Sequence, residues 1–323
     1  MRKILPSAVF PACAFFIYLY IKGHLSEFSV ISSLSPLFVF LVACTAVAFL
    51  IVNGLFVKVI TEVFGIELGF WEYFSISVIT SFGNLFLPMR GGAGIKAVYL
   101  KKRHGFNYSY FMSGLGANYL VAFNLSSLTA LGCLGLLYAG TGAFSFPVTL
   151  AFLVIAAMTL WAIFVNPPQF RRIPIASVRD RLERVMSGWR IMRKNRKTVP
   201  RLYGLSALNL IVMFVITWLE FGAFHIKDAN GNGIGLLQAA IFSSIAGLSL
   251  FISITPASLG IRETLLMFCS HFLGISPAQA LMVALLDRAV NAALVCLLFG
   301  FAWMRLNRGV GTQDIEGFSR QRQ

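Results

Sequence analysis

Apolar residues run along this chain in blocks, and the block lengths come before any motif. The blocks cover residues 4–21, 34–57, 70–87, 110–138, 144–165, 202–224, 234–273 and 277–304. A helix needs about 20 apolar residues to cross a hydrocarbon core. None of the blocks alternates strictly in the manner of a barrel strand. The pattern predicts an all-α polytopic membrane protein with about six full spans. Two blocks break the rule. Block 70–87 runs into Pro88, Gly91, Gly92 and Gly94. Block 234–273 is too long for one span and is interrupted at 255–263 by Pro256 and Gly260. Proline removes a backbone donor and glycine frees the backbone, and bare backbone at membrane depth must be buried in protein or line a wet cavity.

Charge turns these blocks into a topology. The chain is 58% hydrophobic and 12% charged, with mean hydropathy +0.79; soluble domains carry about 25% charged residues. The net charge of +15 is concentrated in a few connecting stretches, which makes it orientation information and no sign of a nucleic-acid partner. Residues 166–201 hold eleven Lys/Arg against Asp180 and Glu183, and residues 88–109 hold five Lys/Arg and no acid. Arg2 and Lys3 precede the first span, which lacks a small-residue cleavage site after Tyr20 and reads as a retained anchor. The positive-inside rule then puts both termini in the cytoplasm of a multi-pass protein of the cell (inner) membrane. If 70–87 crossed fully, Arg90, Lys96, Lys101, Lys102 and Arg103 would lie outside. A re-entrant hairpin avoids this: the chain enters from the cytoplasm, breaks at 88–94 and returns through a helix near 95–104. By the same count 234–273 begins and ends outside, a second hairpin from the other face. The expected organisation is one membrane domain over 1–323: an anchor (1–33), a first inverted half (34–138), a connecting span with a basic loop (139–201), a second inverted half (202–308) and a polar tail (309–323).

Within the basic loop, Ile175, Val178, Leu182, Val185, Met186, Trp189 and Met192 recur at helical spacing among arginines. This reads either as a helix on an anionic leaflet or as a solvated helix with topogenic charge. Glu220, near the outer end of its span, reads as interfacial.

Little in the chain suggests a cofactor or a metal. Cys13, Cys44, Cys133, Cys269 and Cys296 lie in apolar runs without a C-x-x-C pair and read as small buried hydrophobes; the four histidines lack ligand spacing. The chemistry-bearing residues are charges in apolar surroundings, which are rare and mark function or an internal pair. Arg262 with Glu263, and Asp287 with Arg288, interrupt the second hairpin and the last span. Two readings stand: neighbouring pairs that neutralise each other, or a cavity in which Arg90, Lys96, Arg262 and Arg288 face an anionic head group while Glu263 and Asp287 orient them. Arginine's planar fork suits phosphate. Asn84 and Asn291 are further candidates, and Asn118 and Asn124 read as interhelical hydrogen-bond formers.

At these residues a family resemblance enters. The stretch Leu87-Pro-Met-Arg-Gly-Gly-Ala-Gly-Ile-Lys-Ala97 resembles the Pro-x-Arg-x-Gly-Glu-x-x-Arg segment of the lysylphosphatidylglycerol synthetase transmembrane (flippase-like) family. Pro256-Ala-Ser-Leu-Gly-Ile-Arg-Glu263 resembles its Pro-x-x-x-Gly-x-Arg-Glu motif, and Arg288 falls where that family carries an arginine. The resemblance extends over most of the chain. It departs at Ala93, where the pattern has Glu, and at Lys96, where it has Arg. Only a short tail follows Met304, so the resemblance implies translocation of an anionic lipid or polyprenyl-phosphate carrier, or a partner role beside a lipid-modifying enzyme or glycosyltransferase, rather than lipid aminoacylation by this chain. A membrane-embedded glycosyl- or lipid-transferase is the alternative.

Overall fold

The structure, a computed structural model, describes residues 34–87, 91–142, 144–164, 176–227, 231, 233–249 and 260–320; for 176–182, 248, 272 and 308–320 it describes the backbone alone. The expected first span, 4–21, therefore lies outside the described residues. The described chain is helical: α1 Pro36–Glu62, α2 Phe70–Phe86, α3 Gly92–His104, α4 Tyr108–Thr141, α5 Phe146–Phe164, α6 Ala176–Lys194, α7 Thr198–Ala223, α8 Leu236–Leu248, α9 Ile261–Ser270 and α10 Pro277–Arg320. Five of these (α1, α4, α5, α7 and α10 as far as Asn307) are long and apolar enough to cross a membrane.

The helix ends follow local chemistry. Pro36 occupies the first turn of α1 behind Ser35, where its missing donor removes nothing. Asn107 caps α4 by accepting the Ser109 N–H at 3.0 Å. Gly105 and Gly142 close α3 and α4 in left-handed conformation. α1 runs five residues beyond its expected end at 57, because Lys58 and Glu62 form an i,i+4 ion pair at 3.6 Å within its last turns.

The short helices form two hairpins that enter the bundle from opposite ends. α2 and α3 have 17 and 13 residues, about 25 Å and 20 Å, so neither spans a core of about 30 Å. Their outer ends meet at Glu72, which accepts the Tyr99 hydroxyl at 2.7 Å and pairs with His104 at 2.7 Å and Arg103 at 3.3 Å. The same end of the bundle holds the Glu62–Arg201 pair at 3.3 Å, the Phe64–Tyr110 ring stack and Arg305 over the exposed Trp71. The ends of α1 and α3, the starts of α2, α4 and α7, and α10 near Arg305 therefore lie together on a basic face. The opposite face is built from the end of α4, the start of α5, the end of α7, the start of α8, the end of α9 and the start of α10. They share an apolar cluster that includes Leu137, Val148, Phe221, Phe242, Cys269 and Leu281. α8 and α9, of 13 and 10 residues, hang inward from this second face.

Three expectations are corrected. The apolar stripe of the basic loop reads, in the sequence, either as lying on an anionic leaflet or as part of a solvated helix. Instead Trp189 and Met192 are buried with Val52, Phe56, Ile60, Ala117, Val121 and Leu202, Gly188 lies against Ser113 and Tyr110, and the Ser113 hydroxyl donates to the Val185 carbonyl. The stripe finds its apolar partner on α1, α4 and α7, while Arg184, Arg190 and Arg193 remain exposed. Ile175 and the side chains of Val178 and Leu182 lie outside the described residues. Glu220 is buried, at 1% exposure, because its turn of α7 faces the bundle interior. Cys44 and Cys296 are exposed rather than buried, since they lie on the outer surfaces of α1 and α10, where lipid is as good an environment as core for a small thiol.

The hairpin geometry makes a simple prediction. In a cysteine-free background, Lys101→Cys and Lys227→Cys should react with an impermeant maleimide from opposite sides of sealed vesicles. Labelling of both from one side contradicts the arrangement.

Candidate functional site

The site begins at the tip of the first hairpin. Asn84 Oδ1 accepts the Gly92 N–H at 3.1 Å, so the last turn of α2 caps the first of α3. Glycine is demanded here by close approach: a Cβ on Gly92 would overlap the Thr80 carbonyl oxygen and stand 2.7 Å from Asn84 Oδ1, and one on Gly83 would stand 2.7 Å from the Gly92 Cα. The capping also explains why α3 starts at Gly92, earlier than the expected 95. One turn on, Lys96 points inward, with its ammonium 5.6 Å from the Phe111 ring centroid and no ion-pair partner among the described residues.

The second hairpin supplies two charged residues from the start of α9. Gly260 holds φ 84, a conformation glycine takes without strain. Glu263 Oε2 reaches back to accept its N–H at 2.7 Å. The ion pairs then run crosswise between helices. Arg262 binds Asp287 at 2.5 Å, and Glu263 binds Arg288 at 2.6 Å. The pairing of sequence neighbours is thus not the one formed. Adjacent residues on a helix project about 100° apart and cannot face each other, whereas 262/263 and 287/288 lie on helices that pack side by side.

A cavity of about 400 Å³ lies against the end of α2, the first turns of α3, the end of α8 and the start of α9. Asn84, Lys96, Arg262, Asp287 and Asn291 line it together. Glu263 and Arg288 do not line it and form the pair behind it. Arg90 lies outside the described residues. Glu220 lies within electrostatic reach of Arg262 and Asp287, and its Oε1 has no hydrogen-bond partner among the described residues.

A family model described as the lysylphosphatidylglycerol synthase TM region matches residues 4–300. The chain belongs to this family. It is an integral, multi-pass membrane protein, and the match takes in both hairpins and every residue that lines the cavity. No curated protein matches the sequence.

Several lining residues escaped sequence reasoning. Asn53, Asn118 and Asn209 face the cavity beside Asn84 and Asn291. The available signal was an amide inside an apolar block, which by itself fits interhelical bonding equally well. Asn124 shows that case: its Nδ2 donates to Thr159 at 3.2 Å and its Oδ1 accepts from the Tyr203 hydroxyl at 3.0 Å. Glu220 was passed over because a span boundary placed at 224 put it at the membrane surface.

Proposed function

We propose that the cavity receives the phosphate-bearing head group of an anionic lipid or polyprenyl-phosphate carrier and passes it across the membrane. The observation that carries this reading is the meeting of two oppositely inserted, discontinuous helical hairpins at one cavity lined by Lys96 and Arg262. Sites near the midplane between such hairpins are where transporters bind their cargo. Arg262 is half engaged. Its Nη1 holds Asp287, while its Nε is buried without a partner among the described residues, and a guanidinium edge of this kind is suited to a phosphate oxygen. The basic face is read as cytoplasmic, with both termini there, by the positive-inside rule.

The test uses proteoliposomes carrying a fluorescent anionic phospholipid or polyprenyl phosphate, with an outer quencher reporting head-group position. The expected result is protein-dependent exchange of the head group, slowed about tenfold by Lys96→Gln, the loss of one charge-assisted hydrogen bond. Folded protein that moves no head group and retains no anionic lipid removes the proposal.

A further inference from the structure

The stripe of α7 that borders the cavity continues past it. Asn209, Met213 and Ile216 line the cavity, and their spacing of four and three residues keeps them on one face of the helix. Four residues beyond Ile216 the same face carries Glu220, about 6 Å nearer the second face of the bundle. Glu220 is 1% exposed, and its Oε1 is buried without a hydrogen-bond partner among the described residues. The charged groups within electrostatic reach of it are Arg262 on α9 and Asp287 on α10. The other helices packed on this part of α7 are α8, α4 and the stretch of α1 before Lys58, and they contain no Asp, Glu, Lys, Arg or His. The basic helix α6 meets α7 at its opposite end, near Leu202.

The charges around the cavity then leave one carboxyl over. Arg262 is paired with Asp287, and Arg288 with Glu263. Among the described residues this leaves Lys96, which lines the cavity without an ion-pair partner, and Glu220. With Glu220 ionised these six groups sum to zero. An anion brought to Lys96 then adds a net negative charge in apolar surroundings, which is costly. With a proton on Glu220 the sum is one positive charge, the complement of one phosphate diester. A carboxyl enclosed to this degree offers no surface to a head group. The ligand it exchanges is a proton, by way of Asp287, which borders the cavity. Resting on the lipid reading above, we infer that Glu220 is a proton-binding site coupled to the head group: the lipid phosphate and one proton, taken from water onto the Glu220 carboxylate, bind together. Such coupling is reciprocal, so head-group affinity falls as the pH rises and Glu220 loses its proton.

The experiment equilibrates the purified full chain with dioleoyl phosphatidylmethanol, a diester that stays ionised, in phosphatidylcholine nanodiscs and measures retained lipid by native mass spectrometry. The pH runs from about 6 to about 9, a range in which exposed carboxyls also stay ionised. Wild-type retention is expected to fall roughly tenfold across the range, inside the limit of about tenfold per pH unit set by one linked proton. Glu220→Gln, close in shape and permanently neutral, should hold the acid-side level throughout; Glu220→Leu serves if that variant does not fold. Lys96 is the other titratable group on the cavity whose loss of charge would weaken an anion, so Lys96→Arg, charged at every pH tested, is measured alongside and should keep the slope. A wild-type slope that disappears in Glu220→Gln and persists in Lys96→Arg supports the inference. Retention independent of pH in the wild type overturns the coupling and leaves the lipid reading standing. A slope that persists in folded Glu220→Gln, or vanishes in Lys96→Arg, does the same. Folded wild-type protein that retains no diester lipid at any pH overturns both.

Discussion

Glu263→Ala should destabilise the protein by about 3–5 kcal/mol, the usual cost of removing one partner from a buried ion pair. The change removes the carboxylate that pairs with Arg288 and accepts the Gly260 N–H at the start of α9; the lost cap alone is worth about 1 kcal/mol. The crosswise geometry makes the prediction specific. Glu263→Gln combined with Arg288→Met should be milder than either single change, because an apolar replacement of a whole buried pair is often tolerated. Arg262→Met with Glu263→Gln, neighbours in sequence, should show no such relief, since each change abandons a different partner on α10, Asp287 or Arg288. Unfolding in detergent, followed by intrinsic fluorescence over a denaturant series, measures both cycles. A Glu263/Arg288 coupling below about 0.5 kcal/mol, the additivity limit for independent sites, would refute the pairing.

Gly92→Ala should be nearly as damaging. The added methyl would overlap the Thr80 carbonyl oxygen and press on Asn84 Oδ1. Backbone cannot move aside as a flexible side chain can, and overpacking of this kind costs about 1–3 kcal/mol or more. The expected outcome is a lowered melting temperature together with loss of retained lipid, since α2 and α3 must separate at the tip that borders the cavity. Gly94→Ala, two positions on, has nothing within 4 Å of its added methyl and should be stable in the same assay. Equal stability of the two variants would show that the tip is not held by this contact.

What could be read from the chain by itself follows from free energies that act on single segments. Each apolar block of about twenty residues must lie in lipid as a helix, and cations resist transfer to the outside whatever their neighbours do. That is why the blocks from 34–57 to 277–304 correspond to observed helices and why the two hairpins are expected from opposite sides. Asn84, Lys96, Arg262 and Asp287 were legible for the same reason: a polar group inside an apolar block is conspicuous wherever it ends up.

The tertiary structure decided what depends on two segments at once. Arg262 lies next to Glu263 along the chain yet pairs with Asp287, because helix geometry points neighbours apart and packing of α9 on α10 brings distant residues together. Asn118 and Asn124 are alike in sequence context, but a shift of six residues along α4 puts one on the cavity wall and the other against Thr159 and Tyr203. The stripe ending in Trp189 and Met192 is equally suited to lipid or protein, and the adjacent surface of α1, α4 and α7 settles which. The burial of Glu220 beside Arg262 and Asp287 is of the same kind. Segment-level free energy sets which residues enter the membrane; the direction in which each side chain faces is fixed only when the helices close on one another.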